Sequence, residues 1–492
     1  MSGKRQVDLS EIERAITGEE KESPQDKRKS AAAPSILGWR VFDDGRAPYA
    51  VPFPELSADE EKVVGELLEE LREAAKKQEM EDREEVEARA KALLMQRCVA
   101  ERIFMEKDQF DYLVRAAVMT AHGFGVLDLL LADEELEEIA VIGLGKPVYV
   151  YHRTRGWLQT NARIDSEEHA LAVINKMARP LGRRITLASP RLNAVLPNGS
   201  RLHASIPPVS GVEMTIRKFR SNPISIPELI SFQTFSPASL AFLWAALEHD
   251  VSLLIAGNTA SGKTSTLNAL FSFIPLADRV LVTEDAPEIN IPHPHAVKLL
   301  ANPELGVPLR ELVADCIRMR PDRVIVGEVR SAEEVGALVE TLLSGQARGC
   351  YATFHADSGE EAMTRLRFSG ASAADLRSID AILVQRRMLR RAGKRLVEVR
   401  RAVEITEVVP SGEGFRLNRV FSYDARKDEL ARVHPSYLAK SIAASLGEPE
   451  SAFWARVRNR TAFLASLARQ AGSLRFAETV ERIQAFRESE SA

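Results

Sequence analysis

Short apolar runs alternate with amphipathic stretches between about residue 235 and residue 424 of this 492-residue chain. The runs are "VSLLIAG", "RVLVTED", "RVIVGE" and "CYATFHA". Runs of this kind are typical of strands that are buried on both faces, as in a parallel sheet covered by helices. The pattern therefore predicts an α/β domain with a parallel sheet over residues 235–430.

Two other patterns precede this region. Ser57 is an N-cap candidate with Glu60 three residues later, and the apolar residues that follow recur at helical spacing. Further along, "PVYVYHRTRGWLQTN" alternates with a period of two, which favours strands. We predict an N-terminal helical segment over residues 36–125, an α+β N-terminal domain over 126–220 and a linker over 221–234.

The two ends of the chain differ in character. Residues 1–35 are highly charged with almost no aromatic side chains, which predicts a disordered tail. Residues 431–492 carry a helical pattern throughout, and we predict a C-terminal helical subdomain there.

Composition narrows the class of protein. A net charge of −4 does not favour a chain that coats nucleic acid. The three cysteines, Cys98, Cys316 and Cys350, are far apart, which argues against a zinc site or a disulfide framework and favours a reducing compartment. No apolar run reaches the roughly 20 residues of a membrane-spanning helix, and no signal-peptide core is present. We expect a cytoplasmic protein that reaches a membrane only through a partner.

The strongest chemical signal is G-x-x-x-x-G-K-T in "VSLLIAGNTASGKTSTLNAL", between an apolar strand and a helix. Backbone N–H groups of such a loop and of the helix N-terminus surround the phosphates of a nucleotide. Lys263 would neutralise those phosphates and the Thr264 hydroxyl would bind Mg²⁺. The predicted nucleotide-binding residues of the loop are Gly257, Asn258, Thr259, Ala260, Ser261, Gly262, Lys263, Thr264 and Ser265.

Polar side chains follow three further apolar strands. Glu284 and Asp285 end the first, Glu328 ends the second and His355 ends the third, while Glu288 lies just beyond the first. Each of them alone is compatible with ordinary capping or with a satisfied buried histidine. Since the carboxyl ends of parallel strands lie along one edge of a sheet, we expect these side chains to meet beside the phosphate loop.

The order of these motifs resembles the secretion and type IV pilus ATPase family, in its archaeal-type branch. The P-loop, the Glu284-Asp285 pair, Gly327-Glu328 in place of Asp-Glu, and "TFHA" resemble the family's Walker A, Asp, Walker B and His boxes. "GRRI" and "PNGSRLHASIPP" resemble its N-terminal domain, so the resemblance covers nearly the whole chain. Ala260 departs from the glycine that many members have, and the tetracysteine motif of many type II members is absent.

The resemblance implies a RecA-like P-loop motor that uses ATP and Mg²⁺ and no other metal. Glu328 would act as the base, or would orient the attacking water, and His355 would steady the γ-phosphate. Glu284 and Asp285 would work with Thr264 around the magnesium ion, with Glu284 as a metal neighbour. Arg217, at the predicted lobe junction, would join the nucleotide site.

The sequence does not decide which further basic side chains contact the phosphates. The remaining candidates are Arg183, Arg184, Arg191, Arg201, Lys218, Arg318, Arg320 and Arg330. For any single one of them, a surface ion pair is the favoured interpretation. His293 and His295 in "PHPHA" have no Cys or acid at metal-ligand spacing, and we interpret them as structural.

The favoured interpretation is a hexameric ATPase that powers assembly of a type IV pilus-like filament or type II/IV secretion. Its expected partners are other copies of itself and a polytopic membrane protein, with the segment before Phe104 as the docking surface, and no nucleic acid is expected. One alternative is a nucleic-acid-translocating ring, which would need a basic channel or stacking aromatics. The other is a scaffold that binds ATP without hydrolysing it.

Overall fold

The computed structural model describes residues 39–41, 47–51, 56–77, 82–219, 222–302, 305–393 and 395–491. The chain forms two compact units. The first comprises Met1–Leu196 and Leu202–Lys218, and the second comprises Pro197–Arg201 and Phe219–Ala492. The predicted tail over residues 1–35 lies outside the described residues.

In its described residues, the first unit combines five α-helices with a seven-stranded sheet. The helices are α1 (Ala58–Lys77), α2 (Arg83–Glu101), α3 (Lys107–Ala121), α4 (Val126–Ala132) and α5 (Glu167–Ala178). The strands are β1 (Trp39–Val41), β2 (Leu136–Val141), β3 (Pro147–His152), β4 (Gly156–Ile164), β5 (Arg191–Val195), β6 (Arg201–Ser205) and β7 (Glu213–Arg217), in the order β1-β4-β3-β2-β7-β6-β5. The helical segment and the α+β part share one hydrophobic core, which extends from Trp39 to Ile216.

The start of α1 follows from its sequence. The Ser57 Oγ accepts a hydrogen bond from the Glu60 N–H at 3.3 Å, and the Glu60 carboxylate accepts one from the Ser57 N–H at 2.9 Å. This reciprocal pair satisfies two of the backbone donors that a helix N-terminus leaves without partners. The predicted capping box is therefore confirmed.

The second unit is built on a nine-stranded sheet in the order β10-β9-β11-β12-β8-β13-β14-β15-β16. Its strands are β8 (Leu253–Gly257), β9 (Val280–Glu284), β10 (Ala296–Leu300), β11 (Arg323–Val329), β12 (Gly349–Phe354), β13 (Ala381–Ala392), β14 (Arg395–Ser411), β15 (Gly414–Asp424) and β16 (Glu429–Arg432). The pairs from β10 through β13 are parallel, and those from β13 through β16 are antiparallel. The four predicted apolar runs are thus neighbours in a parallel sheet.

Nine helices accompany this sheet. They are α6 (Ile226–Ser231), α7 (Pro237–Leu247), α8 (Lys263–Leu270), α9 (Leu309–Cys316), α10 (Ala332–Leu343), α11 (Gly359–Phe368), α12 (Tyr437–Ser445), α13 (Glu450–Ala468) and α14 (Phe476–Ser491), all within the described ranges. Helix α6 lies in the stretch predicted as a linker and begins with a Ser225–Glu228 capping box. The α/β class is confirmed, with a P-loop core, preceding helical and α+β parts, and a helical C-terminus.

The C-terminal helices pack onto the motor core. Trp244 of α7 stacks on Phe273 at 4.9 Å between ring centroids, and the Arg460 guanidinium of α13 lies 4.5 Å above the Trp244 ring. Arg460 also pairs with Glu248 at 2.7 Å and with Glu490 at 2.8 Å. Burial on all sides explains why α7 is apolar around its whole circumference.

Across the described ranges, no single helix is both long and apolar enough to cross a membrane. Two consecutive helices, Lys107–Ala121 and Val126–Ala132, are together long and apolar enough for such a span, but the chain bends by 89° between them.

Candidate functional site

The phosphate loop leaves β8 at Gly257 and enters α8 at Lys263. Only glycine fits at position 257, because a Cβ there would lie 2.1 Å from the Gln385 carbonyl oxygen. Ala260 has φ = 58°, in the left-handed region that costs an L-residue roughly 1 kcal/mol. The glycine that many family members have would avoid this cost.

The loop is braced by β13 and β14. The Asn258 side chain accepts a hydrogen bond from the Arg387 N–H at 2.9 Å and donates one to the Arg387 carbonyl at 3.0 Å, so it occupies the place of a strand partner. Arg400 donates from Nε to the Ala260 carbonyl at 2.9 Å. These contacts join residues that are 129 and 140 positions apart in the sequence.

The interior of the loop fits a phosphate group. Lys263 is buried, and its Nζ donates to the Gly257 carbonyl at 3.0 Å and to the Asn258 carbonyl at 3.3 Å. Among the described residues, the buried Ser261 Oγ has no hydrogen-bond partner. An ammonium group and an unsatisfied hydroxyl in one loop are the donors that phosphate oxygens require.

Beside the start of α8, the Thr264 hydroxyl donates to the Glu288 carboxylate at 3.2 Å. Asn268, one turn further along α8, holds the backbone around Glu288 in place. Its side chain donates to the Glu288 carbonyl at 3.2 Å and accepts from the Asn290 N–H at 3.0 Å. Arg201, which belongs to the second unit although strand β6 begins with it, pairs with Glu288 at 2.8 Å. Glu288 is therefore the carboxylate in direct contact with the predicted magnesium ligand.

Glu284 faces a different way. Its Oε1 accepts hydrogen bonds from the Glu288 N–H at 2.8 Å and the Ile289 N–H at 2.7 Å, and the side chain is buried. Burial outweighs these bonds and raises the pKa of Glu284 to about 7. Gly327 leaves room for this carboxyl, because a Cβ there would lie 3.2 Å from Glu284 Cγ. Glu284 thus organises the turn that presents Glu288.

Glu328 and His355 meet across two neighbouring strands. His355 Nε2 lies 2.6 Å from Glu328 Oε1, which joins the ends of β11 and β12. A second contact links the same strands, where the Thr353 hydroxyl donates to the Gly327 carbonyl at 2.5 Å. The two strand ends predicted to converge do so.

Arg330 connects this pair to Asp285. It donates from Nε to Glu328 Oε2 at 2.9 Å and lies 3.4 Å from the Asp285 carboxylate. Burial alone would raise the pKa of Glu328, but the hydrogen bond and charge of Arg330, with the charges of His355 and Lys263, hold it below its ordinary value. Burial raises the pKa of Asp285 against the opposing charge of Arg330. The surroundings of Glu328 thus favour its ionised form.

The residues predicted for the phosphate loop and the strand ends therefore form two neighbouring groups. One contains Thr264, Glu288 and Glu284, and the other contains Glu328, His355, Arg330 and Asp285. In the described part of the chain, no cluster of three His, Cys, Asp or Glu side chains is arranged to hold a metal ion. A magnesium ion beside Thr264 would thus take most of its oxygen ligands from phosphate and water, as Mg²⁺ commonly does.

The predicted cations are distributed differently. Arg330 and Arg201 contact site carboxylates, whereas Arg318 pairs with Asp315 at 3.6 Å on the surface. Arg217 lies in the first unit, at the exposed end of β7 opposite Glu138 of β2, and its assignment to the nucleotide stays a prediction. Lys218 donates to the Leu130 carbonyl at 3.2 Å in that same unit.

The two histidines of "PHPHA" have separate environments. His293 is buried edge-on against Phe271, at 5.6 Å between ring centroids. His295 lies 2.6 Å from the Arg279 guanidinium. Their contacts are thus packing and hydrogen bonding.

The raised pKa of Glu284 makes stability depend on pH. The folded protein holds this proton up to about pH 7, whereas the unfolded chain releases it near 4.5, so the stabilisation from protonation is lost as pH rises through 7. Glu284→Gln keeps the acceptor and removes the charge. We expect it to raise the free energy of unfolding at pH 8 by about 2–3 kcal/mol and to change it little at pH 5, in urea titrations.

Glu333→Gln is the matched control, since the Glu333 side chain is 69% exposed on α10. Because Glu333 makes only an exposed ion pair with Arg310 at 3.2 Å, this control should change both values equally and by less than about 1 kcal/mol. Equal effects of Glu284→Gln at the two pH values would contradict a raised pKa.

The chain has clear relatives among curated proteins. It is 38% identical over 242 residues to MJ0781 of Methanocaldococcus jannaschii, an alignment that covers 46% of this chain and 33% of that protein. It is 33% identical over 355 residues to MJ0900 of the same organism, covering 70% and 63%. It is 27% identical over 298 residues to the type IV secretion system protein VirB11 of Bartonella quintana, covering 52% and 82%. The chain spans less than two thirds of the length of either M. jannaschii relative.

The family model described as "Type II/IV secretion system protein" matches residues 139–415, which is more than half of the chain. The match includes the phosphate loop and the Glu284, Glu328 and His355 strand ends. The chain therefore belongs to the type II/IV secretion system protein family.

Proposed function

We propose that this protein hydrolyses ATP to power assembly of a type IV pilus-like filament or type II/IV secretion. The contact that carries the proposal is the 2.6 Å pairing of His355 with Glu328, at the sheet edge that also presents Lys263. This edge would offer one triphosphate the ionised carboxylate of Glu328, the hydrogen-bonded imidazole of His355 and the ammonium group of Lys263.

In this proposal Lys263 releases the Gly257 and Asn258 carbonyls and turns to the β- and γ-phosphates. The exchange favours binding because a charged phosphate accepts stronger hydrogen bonds than a peptide carbonyl. The Ser261 hydroxyl, which is buried among described residues without a partner, donates to a phosphate oxygen. The N-terminus of α8 adds its dipole.

Glu328 orients the attacking water and accepts its proton. Its lowered pKa keeps it ionised near neutral pH, as a proton acceptor must be. His355 fixes the Glu328 carboxylate by hydrogen bonding and lies at the same strand edge, where it can reach the γ-phosphate. Arg330 holds the other carboxylate oxygen of Glu328, so the water-orienting group has one conformation.

Magnesium would be held by Thr264, with Glu288 accepting hydrogen bonds from its water ligands. When bound, Mg²⁺ offsets the charge of the β- and γ-phosphate oxygens. Glu288 replaces the acid that usually ends the Walker B strand, and Glu284 positions it through the backbone of residues 288–289. Glu284 was itself predicted as a metal neighbour, so the two carboxylates need separate tests.

The proposal extends to assembly and location. We infer a cytoplasmic hexamer that acts on a polytopic membrane protein, as the secretion-system family of the chain suggests. Nucleotide-driven movement of one unit relative to the other would be the mechanical output. The segment before Phe104 remains our proposed docking surface for the membrane partner.

Glu328→Gln tests the proposal directly. A hydrolysing enzyme should lose roughly 10²- to 10⁴-fold in kcat while its ATP affinity stays within a few-fold, because the amide keeps the shape but cannot accept the proton. Phosphate release and fluorescent-ATP binding measure the two quantities.

Glu333→Gln again serves as the control and should retain full turnover. A scaffold that only binds ATP would give the same negligible turnover in both variants and in the parent chain, and that result would refute the enzyme.

Magnesium titration separates Glu288 from Glu284. We expect Glu288→Gln to raise the Mg²⁺ concentration for half-maximal hydrolysis about 10-fold or more, because the carboxylate next to Thr264 is removed. Glu284→Gln should shift that concentration much less, since its carboxylate is bonded to backbone N–H groups. A larger shift in Glu284→Gln than in Glu288→Gln would contradict this assignment and would identify Glu284 as the carboxylate beside the metal.

A further inference from the structure

Strands β13 and β14 extend past the sheet as a two-stranded arm, which we define as residues 386–400. Among the described strand pairs, β13 pairs with β8 only from Ala381 to Gln385, and β14 pairs with β15 only from Glu404 onward. Between these limits the two strands pair with each other. At about 3.3 Å per residue, the seven arm residues of β13 reach roughly 20 Å beyond that edge.

The base of the arm is bonded to the phosphate loop. Arg387 holds Asn258 through its backbone, and Arg400 holds the Ala260 carbonyl through its guanidinium. Gln385, the residue just before the arm, accepts a hydrogen bond from the Thr266 hydroxyl of α8 at 2.8 Å. Anything that displaces the arm therefore acts directly on the loop that holds the phosphates.

The tip of the arm exposes apolar side chains to solvent. Leu389 is 68% exposed and Leu396 is 64% exposed. Leu389 lies opposite Glu398 and Arg391 lies opposite Leu396, so leucines and charged residues share one face of the ribbon. Two such leucines on a projecting ribbon have no packing role within the described fold and favour an intermolecular contact.

The charge of the arm points to the partner. Residues 386–400 contain seven basic residues and one acidic residue, a net charge of +6 in a chain whose total is −4. The rest of the chain therefore carries −10. A second copy of the chain, whose remainder carries this net negative charge, is a partner of complementary charge for the arm.

Other classes of partner fit the arm less well. It has no aromatic residue on which a nucleic-acid base could stack. Its leucines and arginines alternate on one face, whereas a segment that lies in a lipid interface separates its apolar and basic faces.

We propose that the arm docks on the acidic surface of a second copy of this chain and thereby couples assembly to the phosphate loop. This proposal deepens the proposed oligomeric assembly and rests on it, but it does not depend on ATP hydrolysis. Leu389, Arg391 and Leu396 make the docking contact. Docking changes the phosphate loop through the hydrogen bonds between the arm and Asn258 and Ala260.

Sedimentation velocity of the full chain with Mg²⁺ and a slowly hydrolysed ATP analogue tests this docking. The test variant combines Arg391→Glu with Leu396→Ser, two exposed positions whose replacement spares the core. Arg416→Glu is the matched control, since Arg416 is also an exposed arginine on a strand of the same sheet, in β15. We expect the parent chain and the control to associate, and the test variant to associate at least about tenfold more weakly.

Raising the salt concentration should weaken association of the parent more than that of the test variant, because the lost contact is partly ionic. The proposal fails if the variant and the parent associate equally, or if the parent remains monomeric. It also fails if phosphatidylglycerol vesicles bind the parent but not the variant while self-association is unchanged. Hydrolysis is measured separately, so an arm that fails this test leaves the proposed ATPase standing.

Discussion

The parallel pairing of β8, β9, β11 and β12 is the constraint on which the rest of the site depends. Strands that run in one direction bring their carboxyl ends to one edge, so residues from separate parts of the sequence meet there. Glu328 lies where the β11–β12 register shifts, between the Val326–Ala352 and Val329–Phe354 pairs, and it contacts His355 just beyond the end of β12. A register slip of one residue would turn Glu328 to the opposite face of the sheet.

Division of labour among the carboxylates follows from their surroundings. Glu284 is buried against backbone N–H groups, and its pKa rises to about 7. Glu328 lies between Arg330 and His355, and its pKa falls. Similar acids at the ends of neighbouring strands therefore differ in behaviour: Glu284 holds a turn, and Glu328 favours its ionised form. That turn places Glu288 against Thr264, where we propose that it takes the place of an acid before Glu328.

Much of this arrangement was predictable from the sequence because its signals are local. Apolar runs marked the strands, the Gly-Lys-Thr loop marked the phosphate site, and Ser57 with Glu60 marked a helix start. The contact of Arg330 with Glu328 was within reach as well, since the two residues are only two positions apart in the sequence. The sequence could not show whether Glu284 or Glu288 contacts Thr264. That depends on the direction of the Glu284 side chain, which points to backbone N–H groups and leaves Glu288 against Thr264.

Contacts between distant residues left no such signal. Asn258 and Arg387 are far apart in the sequence, and neither residue type predicts that a side chain will take the place of a strand. Ala260 likewise has a left-handed conformation, and its carbonyl accepts a hydrogen bond from Arg400 of the distant strand β14. Spatial pairings of this kind follow from the fold and require it to be known.

We propose that one triphosphate binds between Lys263, Thr264 and the Glu328–His355 pair. A crystal structure of the protein with Mn²⁺ and a non-hydrolysable ATP analogue would locate both, through the anomalous signal of the metal. We expect one strong anomalous peak within about 2.5 Å of the Thr264 hydroxyl, with the γ-phosphate between Lys263 and Glu328. A metal and triphosphate bound away from Thr264, with Glu328 and His355 not facing the γ-phosphate, would contradict it.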